Sequence, residues 1–256
     1  MREPTANLRN MIWRIASLLA FLLAWQLGSS LAGGTLVPSP QAVLMALLEE
    51  ARSGALALNL LATLARVAAA FTVALLLGAA IGYAMGRSQP FDRVADPWLI
   101  LLLNLPALVI ILLAYVWFGL TEAAAVGAVA LNKLPNTIAT LREGTRALDP
   151  ALDEMGQAFT FDPWMRARHI IVPQLAPYLS AAARTGLSLV WKIVLVVELI
   201  GRPNGVGFAI GTAFQLFDVA RILAYGLCFV AVMLAIETCL VQPLERHASR
   251  WRNRKG

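Results

Sequence analysis

The segment Asp149-Pro-Ala-Leu-Asp-Glu-Met-Gly-Gln-Ala-Phe-Thr-Phe-Asp-Pro-Trp-Met-Arg-Ala-Arg-His-Ile-Ile-Val-Pro173 decides how this chain is organised. One construction occurs in it twice: Asp149-Pro150 opens the first half and Asp162-Pro163 the second. An aspartate N-cap accepts an orphan backbone N–H, and proline at the first helical position sacrifices no helical hydrogen bond. Two short helices are therefore expected, with a bend near Thr160 and Phe161, the second ending before Pro173. In the first, Leu152, Met155 and Phe159 recur at i, i+3 and i+7 and form an apolar stripe. Asp153 and Glu154 put acid in its first turn, where the helix dipole favours it. Helices this short need a docking surface, either the chain's own helices or a groove on a partner protein. The apolar stripe and acidic first turn suit the groove.

On both sides of this polar segment the chain is hydrocarbon. Of 256 residues, 59% are hydrophobic and 14% charged, with mean hydropathy +0.70 and formal charge +6. A soluble domain carries about 25% charged residues, so a disulfide scaffold, a disordered regulator and an ordinary cytosolic enzyme are excluded. A bilayer crossing takes roughly 20 residues, and six apolar runs are present: Ile15 to Ala32, Asn59 to Met85, Trp98 to Phe118, Glu122 to Leu141, Tyr178 to Ile200 and Ile222 to Val241. The expected fold is all-α, a polytopic membrane protein of six transmembrane helices. Residues 1–256 form a single transmembrane domain with residues 142–177 as a loop within it. The first run, with its basic entry and the small residues Ala32, Gly33 and Gly34, also fits a cleaved signal peptide, but it is longer than the usual apolar core of one.

Basic residues set the orientation. With a cytoplasmic N-terminus, the inner segments hold Arg2, Arg9, Arg14, Arg87, Arg93, Arg142, Arg146, Arg166, Arg168, Arg184, Arg246, Arg250, Arg252, Arg254 and Lys255. The outer segments hold only Arg52, Arg202 and Arg221. This bias places both termini and the 142–177 loop on the cytoplasmic side. Outside the membrane, Ser39 and Pro40 make an N-cap and N1 pair for a short amphipathic helix along the outer interface. Gly201 to Arg221, with Gly201, Gly205, Gly207 and Gly211, reads either as a re-entrant, gate-like loop or as a surface turn.

The residues around Glu154 resemble a family. Glu154-Met-Gly-Gln-Ala-Phe-Thr160, nine residues, then Ile170-Ile-Val-Pro173 is similar to the EAA loop of binding-protein-dependent ABC transporter permeases, which reads Glu-Ala-Ala, three residues, Gly, nine residues, Ile-x-Leu-Pro. Glu154, Ile170 and Pro173 match in register; Met155 and Gly156 replace the alanines, Val172 the leucine and Thr160 the glycine. A β-branched residue resists positive φ, and its hydroxyl can bond locally instead. Leu36-Val-Pro-Ser-Pro, Asn59-Leu-Leu-Ala-Thr-Leu-Ala-Arg-Val67, Trp117-Phe-Gly119 and Leu244-Glu-Arg extend the likeness to the nitrate/taurine/sulfonate branch. The resemblance implies an importer subunit in the bacterial inner membrane that dimerises, as a homodimer, around the translocation path. It also implies a periplasmic or tethered solute-binding protein, and an ABC ATPase subunit engaging Asp149, Leu152, Glu154, Met155, Phe159, Thr160, Ile170 and Pro173.

Ionisable groups inside spans are costly and invite a functional reading. Lys133, Lys192 and Glu198 are candidates to line the path, together with Asn104, Pro106 and Asn132 at two proline-containing sites, Asn104-Leu-Pro106 and Asn132-Lys133-Leu-Pro135-Asn136. A cation there suits an anionic solute. The structural alternatives are packing kinks, a Lys192–Glu237 pair or snorkelling, with Arg66 and Glu198 interfacial. Gly78, Gly82 and Gly86 make a small-xxx-small run suited to packing within the subunit.

Cys228 and Cys239 are three helical turns apart, roughly 16 Å, beyond disulfide reach. The chain has no G-x-x-x-x-G-K-[ST] loop and no H-E-x-x-H, and its histidines, His169 and His247, lie in basic segments. Hence no bound cofactor or metal is expected, and the resemblance implies that ATP and Mg are used by a partner subunit. The charge is a collar around membrane helices, not a nucleic-acid surface. A stand-alone secondary transporter or channel is the alternative, and it predicts matching internal repeats that are not evident.

Overall fold

The computed structural model describes residues 4–33, 36–241 and 243. Leu244-Glu-Arg246 and the basic residues at 2 and 250–255 lie outside them, as do the side chains of Arg9 and Arg14. Eleven α-helices follow one another, and among the described residues there is no strand. They are α1 (Pro4–Leu31), α2 (Pro40–Arg52), α3 (Ala55–Arg87), α4 (Gln89–Asn104), α5 (Ala107–Phe118), α6 (Glu122–Arg146), α7 (Pro150–Ala158), α8 (Pro163–Arg166), α9 (Val172–Gly201), α10 (Val206–Gln215) and α11 (Val219–Ile236).

The helices α3, α6 and α9 form the centre, with α5 completing the apolar core. Val67, Ala70 and Ala74 of α3 pack with Ile111 and Tyr115 of α5, Ala125 and Val129 of α6, and Val190, Val194 and Val197 of α9. The α3–α6 contact is close because Gly78, Gly82 and Gly86 meet Thr137, Ile138 and Thr145: a Cβ on Gly78 would stand 2.6 Å from Cβ of Thr137, and one on Gly82 2.6 Å from the Ile138 carbonyl oxygen. The glycine run is thus an intrachain packing seam. By contrast α1 presents Leu18, Leu19, Phe21, Leu23 and Leu27 outward and is tied to the start of α2 by Trp25 Nε1 donating to the Pro38 carbonyl at 2.9 Å.

Length and apolarity suit α3 and the stretch Val219–Cys239 to crossing a membrane as single helices. The third apolar run is not one rod: α4 and α5 meet at 100° around Leu105 and Pro106. Pro106 removes the amide that Leu102 would have bonded, and both Asn104 and Pro106 are exposed at the corner. The polar first half of α4 is clamped to the end of α6 instead. Arg142 donates to Asp92 at 2.9 Å and to Asp96 at 2.6 Å, and Arg146 donates to Asp92 at 2.6 Å.

Pro135 has no such effect, and α6 runs through it unbroken with the ring buried. Enclosed by α3, α5 and α9, this helix has twelve buried residues, which accounts for its tolerance of more charge than the lipid-facing helices. Of the two proline-containing sites, the first therefore breaks its helix and the second lies within a continuous one.

Two further expectations change. The second short helix does not stop at Pro173: α8 passes through a π-helical turn, Ala167–Ile171, directly into α9. The amide of Val172 bonds the Ala167 carbonyl five residues back. This wider turn sits where the Pro173 ring would otherwise crowd the carbonyl of His169. The glycine-rich stretch after span five is not a plain surface turn, and its bent helix pair keeps the form of a broken span or a re-entrant segment. It folds into α10, set at 50° to the preceding helix and buried at Val206, Ala209 and Ala213.

Candidate functional site

The connection from α6 to α9 is built as its local sequence dictates at both starts. Asp149 caps α7 by accepting from the Ala151 amide at 2.9 Å, and Asp162 caps α8 by accepting from Met165 at 2.6 Å. The end of α7 is more unusual. Phe161 N–H bonds the Gly156 carbonyl at 2.9 Å and Thr160 N–H bonds that of Gln157 at 3.0 Å, the paired bonds of a Schellman stop. Its left-handed position is normally glycine; here it is Thr160, at φ +52°. The expected resistance of threonine is overcome, and the bend keeps the geometry a glycine would give at a cost of about 1–2 kcal/mol.

Little of α7 is covered by its own chain. Leu152 is 37% exposed, Met155 40% and Phe159 69%, so the apolar stripe faces outward along its length. Glu154 is exposed beside it, and Trp164 (71%) and Met165 continue the surface onto α8. The buried residue of α7 is Gly156, whose missing side chain leaves room for Ile170. Ile170 is itself buried and anchors the turn, whereas Pro173 is exposed at the start of α9.

Polar bonds hold the rest. The Asp149 amide donates to Gln174 Oε1 at 2.9 Å. Asp153 accepts from Arg166 at 2.5 Å and from Arg87, at the end of α3, at 3.2 Å. The Arg166 guanidinium, and after it Arg87, holds the Asp153 carboxyl below its usual pKa. Sequence reasoning took Asp153 only as a dipole-favoured acid; its partners lie 66 and 13 positions away, outside any helical pattern. Behind α7 is a cavity of about 480 Å³ lined by Arg87, Arg146, Asp149, Asp153, Glu154 and Gln174, among others.

The intramembrane candidates do not converge. Lys133 is 2% exposed, its stem passing over Gly186 of α9, where a Cβ would collide with Cε. Asn132 is half-buried beside it in sequence, and Lys192 is exposed, with Nζ 5.7 Å from the Trp191 ring centre. Asn104 donates to the Ile100 carbonyl of its own helix at 2.7 Å.

Arg66 and Glu198 meet inside the bundle. Glu198 is fully buried, accepting from Arg66 Nη1 at 2.7 Å, from the Thr63 hydroxyl at 2.9 Å and from the Gly207 amide at 2.9 Å. Arg66 also donates to both oxygens of Glu122, at 2.7 and 2.9 Å, and to the Asn204 carbonyl at 2.9 Å. Gly205, at φ +112°, passes so close to the Glu198 carboxylate that no side chain fits. The network continues through Asn59, which accepts from the Gly205 amide at 2.8 Å and donates to Tyr225, and through Tyr225 to Glu50 of α2 at 2.5 Å. Glu122, Asn204, Asn59 and Glu50 were not legible as members of one cluster.

Similarity to known proteins agrees with this architecture. The permease protein SsuC of Bacillus subtilis, named for aliphatic sulfonate transport, is 29% identical over 231 residues, covering 90% of this chain and 83% of its own. The taurine transport system permease protein TauC of Escherichia coli is 25% identical over 250 residues, covering 95% and 90%. The bicarbonate transport system permease protein CmpB of Synechococcus elongatus is 24% identical over 253 residues, covering 93% and 89%. A solved amino acid ABC transporter with histidines shares the fold, with TM-score 0.55 and 22% identity over 77% of this chain and 92% of that one. With residues 74–252 matching the family model of the binding-protein-dependent transport system inner membrane component, the chain belongs to that family.

Proposed function

We propose that this chain is the permease subunit of an ATP-driven importer and that α7 is the helix through which a separate ATPase subunit drives it. The observation that carries the reading is the uncovered stripe of Leu152, Met155 and Phe159 beside the exposed Glu154. A run of exposed apolar side chains on one short helix marks an interaction surface, and a helix-in-groove contact buries it with the acid at the rim. Nucleotide and Mg are held by that partner, and this chain is not itself catalytic.

The remaining topology follows the six-span scheme. Both termini and the α6–α9 connection are cytoplasmic, as the arginine distribution favours. A homodimer encloses the path, and a solute-binding protein delivers to the opposite face. The relatives are named for sulfonates, taurine and bicarbonate, each of which carries an anionic group at neutral pH, so the substrate class is a small anion. Lys133, Lys192, Asn104, Pro106 and Asn132 remain the path candidates, and Glu198, tied into the Arg66 network, is the one among them whose charge is already neutralised by a partner.

The test is purification with a co-expressed ATPase subunit, followed by solute-stimulated ATP hydrolysis in liposomes for the wild type and for Glu154→Lys. The wild type retains the ATPase and couples; the substitution weakens association by reversing the rim charge. A wild-type chain that moves solute with no ATPase present overturns the proposal in favour of a secondary transporter.

A further inference from the structure

Helix α7 has few mechanical links to the bundle. The cavity of about 480 Å³ behind it lies between it and the ends of α3 and α6, and its stripe of Leu152, Met155 and Phe159 is exposed. Three links remain. The Asp149 amide bonds Gln174, and Gly156 sits against Ile170, both joining α7 to the approach to α9. The third is Asp153, one oxygen bonded to Arg166 and the other to Arg87. Among the described residues, Asp153–Arg87 is the ion pair that joins α7 to α3.

That connection matters because of what α3 is. Its last turns are seated on α6 with Gly82 against the Ile138 carbonyl and Gly86 against the short, β-branched Thr145 side chain, a close seam through which a pull on Arg87 reaches α3 and α6 together. Arg166, in contrast, precedes the π turn that feeds α9. One carboxylate thus bridges the two mechanical routes from α7 into the membrane helices. Charge-assisted bonds to a planar guanidinium are stronger and more directional than neutral ones, so the carboxylate fixes the relative placement of the groups it joins.

Resting on the reading of α7 as the ATPase-docking helix, we infer that Asp153 is a positioning residue that couples displacement of α7 to the α3–α6 pair through Arg87 and to α9 through Arg166. Both acids border the cavity behind α7, but Asp153 is ion-paired into the bundle whereas Glu154 is exposed. The two adjacent acids therefore have separable roles, one in docking and one in transmission.

The experiment uses the full chain with its co-expressed ATPase in liposomes and measures ATPase co-purification, ATP hydrolysis and solute moved per ATP for Asp153→Asn, Asp153→Glu, Arg87→Gln and the Asp153→Asn/Arg87→Gln double variant. Asp153→Asn is expected to keep the ATPase bound and hydrolysing while transport per ATP falls about tenfold or more, since both charge-assisted bonds of the carboxylate are weakened. Asp153→Glu restores most of it, and the double variant is no worse than Asp153→Asn alone. If Asp153→Asn misfolds, Arg87→Gln, on a half-exposed side chain, carries the same prediction. Wild-type transport per ATP in Asp153→Asn, or additive losses in the double variant, overturns the inference and leaves the docking proposal standing. Loss of the ATPase from Asp153→Asn assigns the residue to docking and equally overturns it. A wild type that binds no ATPase overturns the docking proposal itself and the inference with it.

Discussion

Arg66 and Glu198, one on α3 and one on α9, meet at 2.7 Å with side chains 6% and 0% exposed. Removing the Glu198 carboxylate leaves Arg66 with Glu122 alone and strips the buried Thr63 hydroxyl and Gly207 amide of their acceptor, at about 1–3 kcal/mol for each unsatisfied group. Glu198→Ala should therefore abolish or strongly lower the yield of folded protein in detergent, whereas Glu198→Gln, which still accepts from Thr63 and Gly207, loses less. Thermal unfolding of the solubilised protein orders them: wild type, Gln, then Ala. An Ala variant as stable as the wild type contradicts this account.

The seam between α3 and α6 leaves no space for added atoms. A Cβ at Gly82 would stand 2.6 Å from the Ile138 carbonyl oxygen and 2.9 Å from the Leu141 Cβ. Backbone cannot swing aside as a flexible side chain does, so Gly82→Ala should destabilise by roughly 1–3 kcal/mol through overpacking. Gly127→Ala, whose site is open, is the matched control and should be neutral or better. The difference in melting temperature between the two is the measurement.

Thr160 carries a left-handed backbone that glycine adopts without penalty. Thr160→Gly should make the stop of α7 more favourable by about 1 kcal/mol, the relief of the Cβ clash less the extra freedom of the unfolded chain. Hydrogen exchange at the Thr160 and Phe161 amides, which close the Schellman bonds, reports it as slower exchange at those two positions. Faster exchange in the glycine variant sinks the argument.

Asp153 sets a pH dependence of definite sign. Its carboxyl is held below the ordinary value of 3.8, first by Arg166 and then by Arg87. A depressed folded-state pKa contributes stability that is present above the ordinary value and is lost as pH falls through the lower one. Protection of the α7 amides, corrected for intrinsic exchange, should therefore be flat from neutral pH down to the carboxylate range and decline only beneath it. A decline already near neutrality identifies some other titrating group.

The caps and the spans illustrate what local sequence carries. Ser39, Asp149 and Asp162 each cap the helix expected of them, because a cap is an interaction over two or three residues. The apolar stripe of α7 was likewise legible at its spacing. Proline was not legible in the same way. Pro106 stands at a 100° corner, Pro135 is absorbed in a continuous helix and Pro173 sits just past a π turn. All three remove one amide donor, and the outcome depends on whether neighbouring helices enclose the freed backbone.

By itself, then, the sequence determined an all-helical membrane protein with a short, acid-tipped helix between two long ones, since composition, periodicity and capping are local properties. Only the tertiary structure decided that Arg66 gathers Glu198, Glu122 and Asn204, that Lys133 is sealed against Gly186, and that Asp153 reaches Arg87. Those pairings join residues up to 138 positions apart. Their energy exists only once the helices have packed, because burial makes an unpaired charge costly and a paired one tolerable.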